Sequence, residues 1–388
     1  MASSHIQPGL LRKMTVRRIL ETLQQQGPLS RADLTRETGI SAPTVSKAVV
    51  DLLESGLLEE GEAPDNALGR PGKRLQLARS RAQVVGVVLD VQSCRVVSAS
   101  LDGEINEEHV KTFAPPANYE TLIDILSRTV EDLVKQTTSI LLGIGISSPG
   151  LVDEENELCL LSPNLQVTNQ HSPAKDLAAI FDVPTICMQE SRALCLAERL
   201  YGKARGLDDF AMMDVSTGLG LGVFIGGELL RGQSGLAGEL GHLTVDPTGK
   251  LCGCGNHGCL ETLATDSALA TMVAEKSGKK LSIDEVVRQL RAGELQAPEE
   301  LNRVCEYLAI GMSAAINLFN PSTLFVHGRF LEISDSMLAQ VIRMTRRRTL
   351  DPSFERCTIE MAITTKDQAA IAAIVHHLTT AAGPRVGN

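Results

Sequence analysis

Glu239 to Glu261 reads ELGHLTVDPTGKLCGCGNHGCLE, a Gly-rich segment that holds three cysteines and a histidine between two bracketing glutamates. Cys252, Cys254 and Cys259 form a C-x-C-x4-C array, and His242 precedes a short apolar run, so three thiolates and one imidazole are placed to converge on a tetrahedral Zn2+. Four protein ligands leave no open coordination position. The expected ion is therefore structural, fixing a loop too rich in glycine to hold itself. His257 competes for the fourth position, but it is squeezed between Cys254 and Cys259, and the longer loop back to His242 closes around an ion more easily. The same segment offers a second chemistry. Glu239 and Glu261 are carboxylates that accept hydrogen bonds from neighbouring sugar hydroxyls, and His242 suits both tasks, one ring nitrogen on the metal and the other donating to a hydroxyl.

At 388 residues and 43% hydrophobic content, the chain is long enough for two to three domains with real cores. No apolar run approaches the ~20 residues that cross a bilayer, and no signal peptide opens the chain, so a cytoplasmic protein without membrane insertion is expected. Nine cysteines then mean thiols and metal ligands rather than disulfides. The net charge of −10, taken whole, argues against nucleic acid. Its distribution argues otherwise: residues 1–82 carry 12 Lys+Arg against 9 Asp+Glu, and the remainder 25 against 38. A small basic head on an acidic body points to a nucleic-acid partner at one end.

In the head, residues 1–82, Val16, Ile19, Leu20 and Leu23 mark one buried helical face, ended by Gly27-Pro28. Ser30 and Asp33 predict a capping pair for a second helix to Thr38, and Gly39-Ile40-Ser41 a tight turn. Ser41 is expected to cap a third helix with Pro43 in its first turn and Val45, Val49 and Leu52 inside. That spacing is a helix-turn-helix, whose second helix presents Ala42, Thr44, Ser46 and Lys47 to the major groove. The stretch after Gly56 predicts a β-hairpin wing. Its tip, with Arg70, Lys73 and Arg74 on a Pro-stiffened loop, suits a narrow A·T-rich minor groove. A small helical protein-interaction module is the plainer alternative for these residues.

The body opens with a hairpin or meander: QVVGVVLD from Gln83, then VVSASL. A helix over 119–136 and a strand over 139–146 follow, running into Ser148-Pro149-Gly150, where open α/β sheets place ligands. A strand from Val183 to Cys187 ends at Gln189-Glu190, which begin a helix to about Gly202. Phe210–Val215 then starts the pattern again, with a Gly-rich turn at 216–222 that fits either a phosphate-type ligand or a tight hairpin. Helices near 266–276, 283–291 and 299–319, strands at 323–327 and 357–363, and a closing helix from Asp367 complete the chain. Arg346-Arg347-Arg348 is read as a solvated helix end. Two halves opening alike predict a duplicated α/β architecture with its site in the cleft between them. The expected units are the head (1–82), a first lobe (83–190 plus 366–388), and a second lobe (191–365) carrying the metal loop and an oligomerisation surface.

Gly238-Glu239-Leu240-Gly241-His242 and Cys252 through Glu261, with Thr217–Gly222 and Ile316–Pro321 in support, resemble the ROK family (repressors, open reading frames and sugar kinases) over essentially the whole chain. Head and body together resemble its transcriptional branch. The resemblance implies a two-lobed actin-like ATPase (ROK) fold, α/β in class, preceded by a winged helix-turn-helix domain. It also implies zinc on His242, Cys252, Cys254 and Cys259, a sugar-facing set of Gln189, Glu190, Glu239, His242 and Glu261, and a homodimer or homotetramer. Three places depart from the family's kinases. Asp90 is followed by Val91-Gln92-Ser93 instead of the phosphate-holding x-Gly-Gly-Thr, Gln189-Glu190 stands for Asn-Asp, and Gly328-Arg329 for Gly-Gly near the adenine. The Asp of Asn-Asp is the kinase base, and the extra methylene of Glu190 moves its carboxylate by more than ~1 Å, a misplacement worth about 10²-fold in rate. The side chains after Asp90 are expected to fill phosphate space.

The expected function is therefore a sugar-responsive regulator, a repressor of carbohydrate-metabolism genes. It would bind operator DNA through the head and a sugar or sugar phosphate in the cleft, with no catalytic role for Glu190. The alternatives are an ATP-dependent sugar kinase with an added head, and a regulator that senses a transport-system protein docking on the acidic body.

Overall fold

The computed structural model describes residues 8–61 and 73–380. The chain begins with α1 (Pro8–Gln26), α2 (Arg31–Thr38) and α3 (Ala42–Glu54), followed by the antiparallel pair β1 (Leu58–Gly61) and β2 (Arg74–Leu77). Val16, Ile19, Leu20 and Leu23 of α1 are buried with Leu34 of α2 and Val45, Val49 and Leu52 of α3. At the start of α2 the capping pair is reciprocal: Ser30 Oγ accepts from Asp33 N at 3.1 Å, and Ser30 N donates to Asp33 Oδ2 at 3.3 Å. Gly39 ends α2 in the left-handed region, φ 69°. One expectation is corrected here. Ser41 occupies the position before α3, but its hydroxyl bonds Thr44 Oγ1 at 2.8 Å and caps no backbone N–H. Pro43 at the helix start removes one of the donors that would need a cap. Arg70 and the rest of the wing tip, 62–72, lie outside the described residues.

The body is two lobes, each built on a five-stranded sheet. The first sheet comprises β3 (Ala82–Val88), β4 (Cys94–Ala99), β5 (Lys111–Phe113), β6 (Ile140–Ser148) and β9 (Thr185–Gln189), in the order β5-β4-β3-β6-β9. Between its strands run α4 (Tyr119–Lys135), the hairpin β7 (Leu151–Asp153) and β8 (Leu158–Leu161), and α5 (Pro173–Phe181). The hairpin and α5 fall in a stretch to which the sequence reading assigned no elements. After α6 (Glu190–Leu200), the second sheet comprises β10 (Phe210–Asp214), β11 (Gly220–Ile225), β12 (Glu228–Leu229), β13 (Thr323–His327) and β14 (Thr358–Met361), in the order β12-β11-β10-β13-β14. Both sheets thus open with an antiparallel meander and continue with two parallel strands, the duplication expected of the body. The Gly-rich stretch resolves as the β10–β11 hairpin turn. The helices α7 (Asp266–Ser277), α8 (Ile283–Arg291), α9 (Pro298–Phe319), α10 (Met337–Arg346) and α11 (Asp351–Phe354) cover the second lobe. The exposed Arg346, Arg347 and Arg348 close α10.

The last helix, α12 (Lys366–Thr380), crosses back onto the first lobe against β3, β6 and α6. The approach is so close that a Cβ at Gly145 would lie 1.9 Å from the Ala370 carbonyl oxygen, which restricts that strand position to glycine. One apolar core runs from the head into this lobe: Val16, Leu20 and Leu52 share it with Val84, Val97, Ile371, Ile374 and Leu378. Arg17 adds an ion pair to Glu228 of β12, in the second lobe, at 3.1 Å. Among the described residues, no helix is long and apolar enough to cross a membrane.

Candidate functional site

The Cys/His loop follows β12, is tied to β11 where Leu221 N donates to the Gly238 carbonyl, and closes on itself. Gly258 O accepts from Val245 N, Cys252 N donates to Asn256 O at 2.7 Å, and Leu260 N returns to Leu243 O. Gly258, at φ +64°, sits so tightly that a Cβ would come within 1.5 Å of the Asp246 carbonyl. The loop brings the ligand atoms of His242, Cys252, Cys254 and Cys259 within 4.8 Å of one another. Cys254 Sγ and Cys259 Sγ are 3.7 Å apart, as are Cys252 Sγ and His242 Nδ1. Zinc–sulfur bonds of ~2.3 Å in a tetrahedron set ligands about 3.8 Å apart, so the donor set and its spacing fit that ion. The competing His257 is exposed, and its Nδ1 lies 3.2 Å from the Gly249 carbonyl, away from this cluster. Burial pushes the Cys252 thiol up, and Glu261, whose Oε1 lies 2.8 Å from the sulfur, pushes it further.

The other side of His242 faces the interlobe cleft. Its Nε2 is 3.7 Å from Glu239 on that side, while Nδ1, the nitrogen beside Cys252, lies 3.7 Å from Glu261. Burial raises the Glu239 carboxyl, with His242 opposing. Around these three residues the cleft is lined by Asp90, Asn164, Gln189, Glu190, Asp214, Thr217 and Gly218. The predicted sugar-facing residues Gln189, Glu190, Glu239, His242 and Glu261 therefore share one cavity wall. Gln189 is partly committed elsewhere. Its Oε1 accepts from Arg192 N at 3.1 Å and Ser191 Oγ at 2.6 Å, capping α6, which leaves its amide NH2 for the cleft.

Three functional neighbours were not read from the sequence. Lys366, the first residue of α12, places Nζ 2.5 Å from Glu190 Oε1 and 3.0 Å from Asp90 Oδ2. The contact to Glu190 is an ion pair without hydrogen-bond alignment. Burial works against the Lys366 charge, but Glu190, Asp214 and Asp90 outweigh it and raise its pKa. Burial raises Glu190, while Lys366 pulls it back. Asp214, buried at the end of β10, would be raised by burial. It is held low instead by His327, whose Nδ1 lies 2.8 Å away, and by Ser216 Oγ at 3.0 Å. Arg192, 1% exposed, bonds Glu154 Oε1 at 2.5 Å and the Gly235 carbonyl at 2.8 Å, tying the β7–β8 hairpin to the loop that leads into Glu239.

Beyond Lys366 lies a cavity of about 760 Å3, reached past Asp90 and Thr217 and lined by Gln92, Ser93, Asp266, Lys280, His327 and Arg329. This is the side where the residues after Asp90 were expected to fill phosphate space. The space itself is open, and the ammonium of Lys366 stands at its entrance. In the head, Ala42, Thr44, Ser46 and Lys47 are all exposed along α3, whereas Val45, Ala48 and Val49 of the same helix are buried. On the wing, Lys73 pairs with Glu60, and the Arg74 guanidinium donates to the Pro28 carbonyl at 3.3 Å.

A helix-turn-helix head fused to two lobes of identical sheet order is the build of a DNA-binding regulator on an actin-like body. The ROK family pattern matches residues 84–377 and a MarR family pattern residues 13–67. The chain belongs to the ROK family and is one of its transcriptional regulators, with a MarR-like helix-turn-helix. It is 28% identical over 338 residues to a xylose repressor of Bacillus subtilis (strain 168), covering 85% of this chain and 87% of that protein. It is 26% identical over 345 residues to the DNA-binding transcriptional dual regulator NagC of Escherichia coli (strain K12), covering 86% and 84%. Among solved structures, a ROK family transcriptional regulator described as a homolog of the E. coli MLC protein superposes with a TM-score of 0.80 at 23% identity, covering 95% of this chain and 97% of that one.

Proposed function

We propose that the protein is a sugar-responsive repressor of carbohydrate-metabolism genes, acting in the cytoplasm on operator DNA. The observation that carries this reading is one continuous body. The carboxylates of the cleft contact Lys366 at one end of α12, and the other end of α12 shares a core with α1 of the DNA-binding head. In this reading α3 presents Ala42, Thr44, Ser46 and Lys47 to the major groove, and Arg70, Lys73 and Arg74 of the wing reach the minor groove. Two heads of a homodimer or homotetramer grip a pseudo-palindromic site. A Zn2+ on His242, Cys252, Cys254 and Cys259 would hold the Gly-rich loop rigid. The protein's own side chains do the recognition: Glu239, Glu261 and Glu190 accept from sugar hydroxyls, and His242 and the Gln189 amide donate to sugar oxygens. The similarity to xylose repressors supports a carbohydrate effector.

A ligand shifts operator affinity only by binding the two head arrangements unequally, and a difference of ~1.4 kcal/mol is tenfold. The test is operator binding by the full chain against a panel of sugars. An affinity unmoved by every sugar, together with head variants at Lys47 that bind DNA as well as the parent, refutes it. Against the kinase alternative, Lys366 occupies the carboxylate at the kinase base position. ADP release above background with any sugar would restore that alternative.

A further inference from the structure

We infer that the cleft takes an uncharged sugar and rejects its phosphorylated form. This rests on the sugar-sensing reading above and narrows it to one ligand class.

Five carboxylates line the cleft, Asp90, Glu190, Asp214, Glu239 and Glu261, and among the described lining residues there is no lysine or arginine. Lys366, which lines the neighbouring cavity, is already shared between two of these carboxylates, Glu190 and Asp90. His327 is spent on Asp214. The next cations, Lys280 and Arg329, line the cavity beyond, where Lys280 is exposed and Arg329 is held by Asp284 and Glu332. Zinc does not reverse the sign, since a divalent ion with three thiolates leaves about −1. The N-terminus of α12 adds a partial charge of roughly +0.5, which does not offset several carboxylates.

Hydrogen bonding leads to the same ligand class. Ionised carboxylates accept and never donate, so they suit hydroxyls, whereas a phosphate is itself acceptor-only and carries about −1.5 to −2 at neutral pH. Each phosphate oxygen brought to this wall would meet lone pairs, and the way out toward the larger cavity passes Asp90. A neutral polyol finds acceptors for its hydroxyls on the carboxylates, and donors for its own oxygens on the Gln189 amide and His242.

Calorimetric titration of the full-length protein with glucose, mannose, N-acetylglucosamine and xylose, and with the 6-phosphates of the first three, tests this. The expected result is a free sugar that binds at least about tenfold tighter than every phosphate, with the ratio narrowing about threefold or more in Asp90→Asn or Glu239→Gln as one like charge is removed. A 6-phosphate that binds as tightly as its parent overturns the inference and leaves sugar sensing standing. A ratio unchanged in both variants overturns its electrostatic cause. A panel in which nothing binds overturns the sugar-sensing reading, and the inference with it.

Discussion

Replacing Lys366 by methionine keeps most of the length of the side chain and removes its charge, so the variant isolates the ion pairs at the root of α12. At an effective dielectric of ~20, a unit pair at the 2.5 Å and 3.0 Å separations seen to Glu190 and Asp90 is worth about 6 kcal/mol each, gross. Most of that is offset by the cost of taking the three groups out of water, and removing one partner of such a cluster costs ~3–5 kcal/mol net. Lys366 is 20% exposed along its side chain, so the lower end, ~3 kcal/mol, is expected. The loss also depends on pH. Glu190, already raised by burial, keeps no counter-cation in the variant, so it takes up a proton more readily, and the destabilisation shrinks as pH falls from 8 to 5. The assay is urea unfolding of wild type, Lys366→Met, Glu190→Gln and the double variant across that range. The cycle should return a coupling of ~1–3 kcal/mol, with the double variant more stable than Lys366→Met alone. A Lys366→Met protein within ~0.5 kcal/mol of wild type at pH 8, uncoupled to Glu190, refutes the placement of this ammonium between the two carboxylates.

Cys254→Ser should strip zinc from the purified protein and lower its melting temperature, read by elemental analysis and calorimetry. Unchanged metal content would dissolve the four-ligand centre. Ile374→Ala removes a fully buried side chain from the core shared by head and body and should cost ~2–5 kcal/mol by denaturant unfolding. Lys47→Ala should weaken operator binding and, if Lys47 meets a phosphate, lower the slope of log K against log salt by ~0.9 in filter-binding or anisotropy titrations. His376, under α1, is held down to about 4 by burial, with Arg231 and Arg17 facing it, against 6.5 unfolded. Its contribution is thus whole above pH ~6.5 and lost as pH falls toward 4, by at most ~3 kcal/mol at 1.36 kcal/mol per unit, and His376→Gln should flatten that decline.

The Cys/His cluster was legible because its four residues lie within one short Gly-rich stretch, where spacing alone limits the geometry. The first-turn chemistry of α2 was legible for the same reason, since Ser30 and Asp33 are three apart. What escaped was assembled over long separations. Lys366 meets Asp90 across 276 positions, and His327 meets Asp214 across 113. Single-chain patterning carries no trace of such pairs. Arg192 did leave a signal that went unused. It sits in a run where residues 191–198 are all buried, and a guanidinium in such a helix has to find a carboxylate, here Glu154. Asp214, closing the apolar strand FAMMD, carried the same kind of signal. The seam between head and body was invisible for a different reason. Apolar positions on α1 predict a core, and they do not say that the core continues into Ile371 and Ile374 of the last helix.

That continuity constrains how any event in the cleft reaches the DNA-binding surface. A head on a loose linker could swing without cost, but Leu20 and Leu52 pack in one core with Val84 and Leu378, so separating head from lobe exposes apolar surface at ~25 cal/mol per Å2. Transmission through α12 is then a matter of small displacements. Fifteen helical residues span ~22 Å, enough to run from the Glu190–Lys366 contact to the underside of α1 as one stiff element. In the proposed reading a sugar hydroxyl competing with Lys366 for Glu190 would act on the first turn of that element, whose last turn supports the helix on which α2 and α3 are packed. In the proposed assembly, with two heads on two half-sites one duplex turn apart, a shift far smaller than the half-site spacing would be enough to spoil the register.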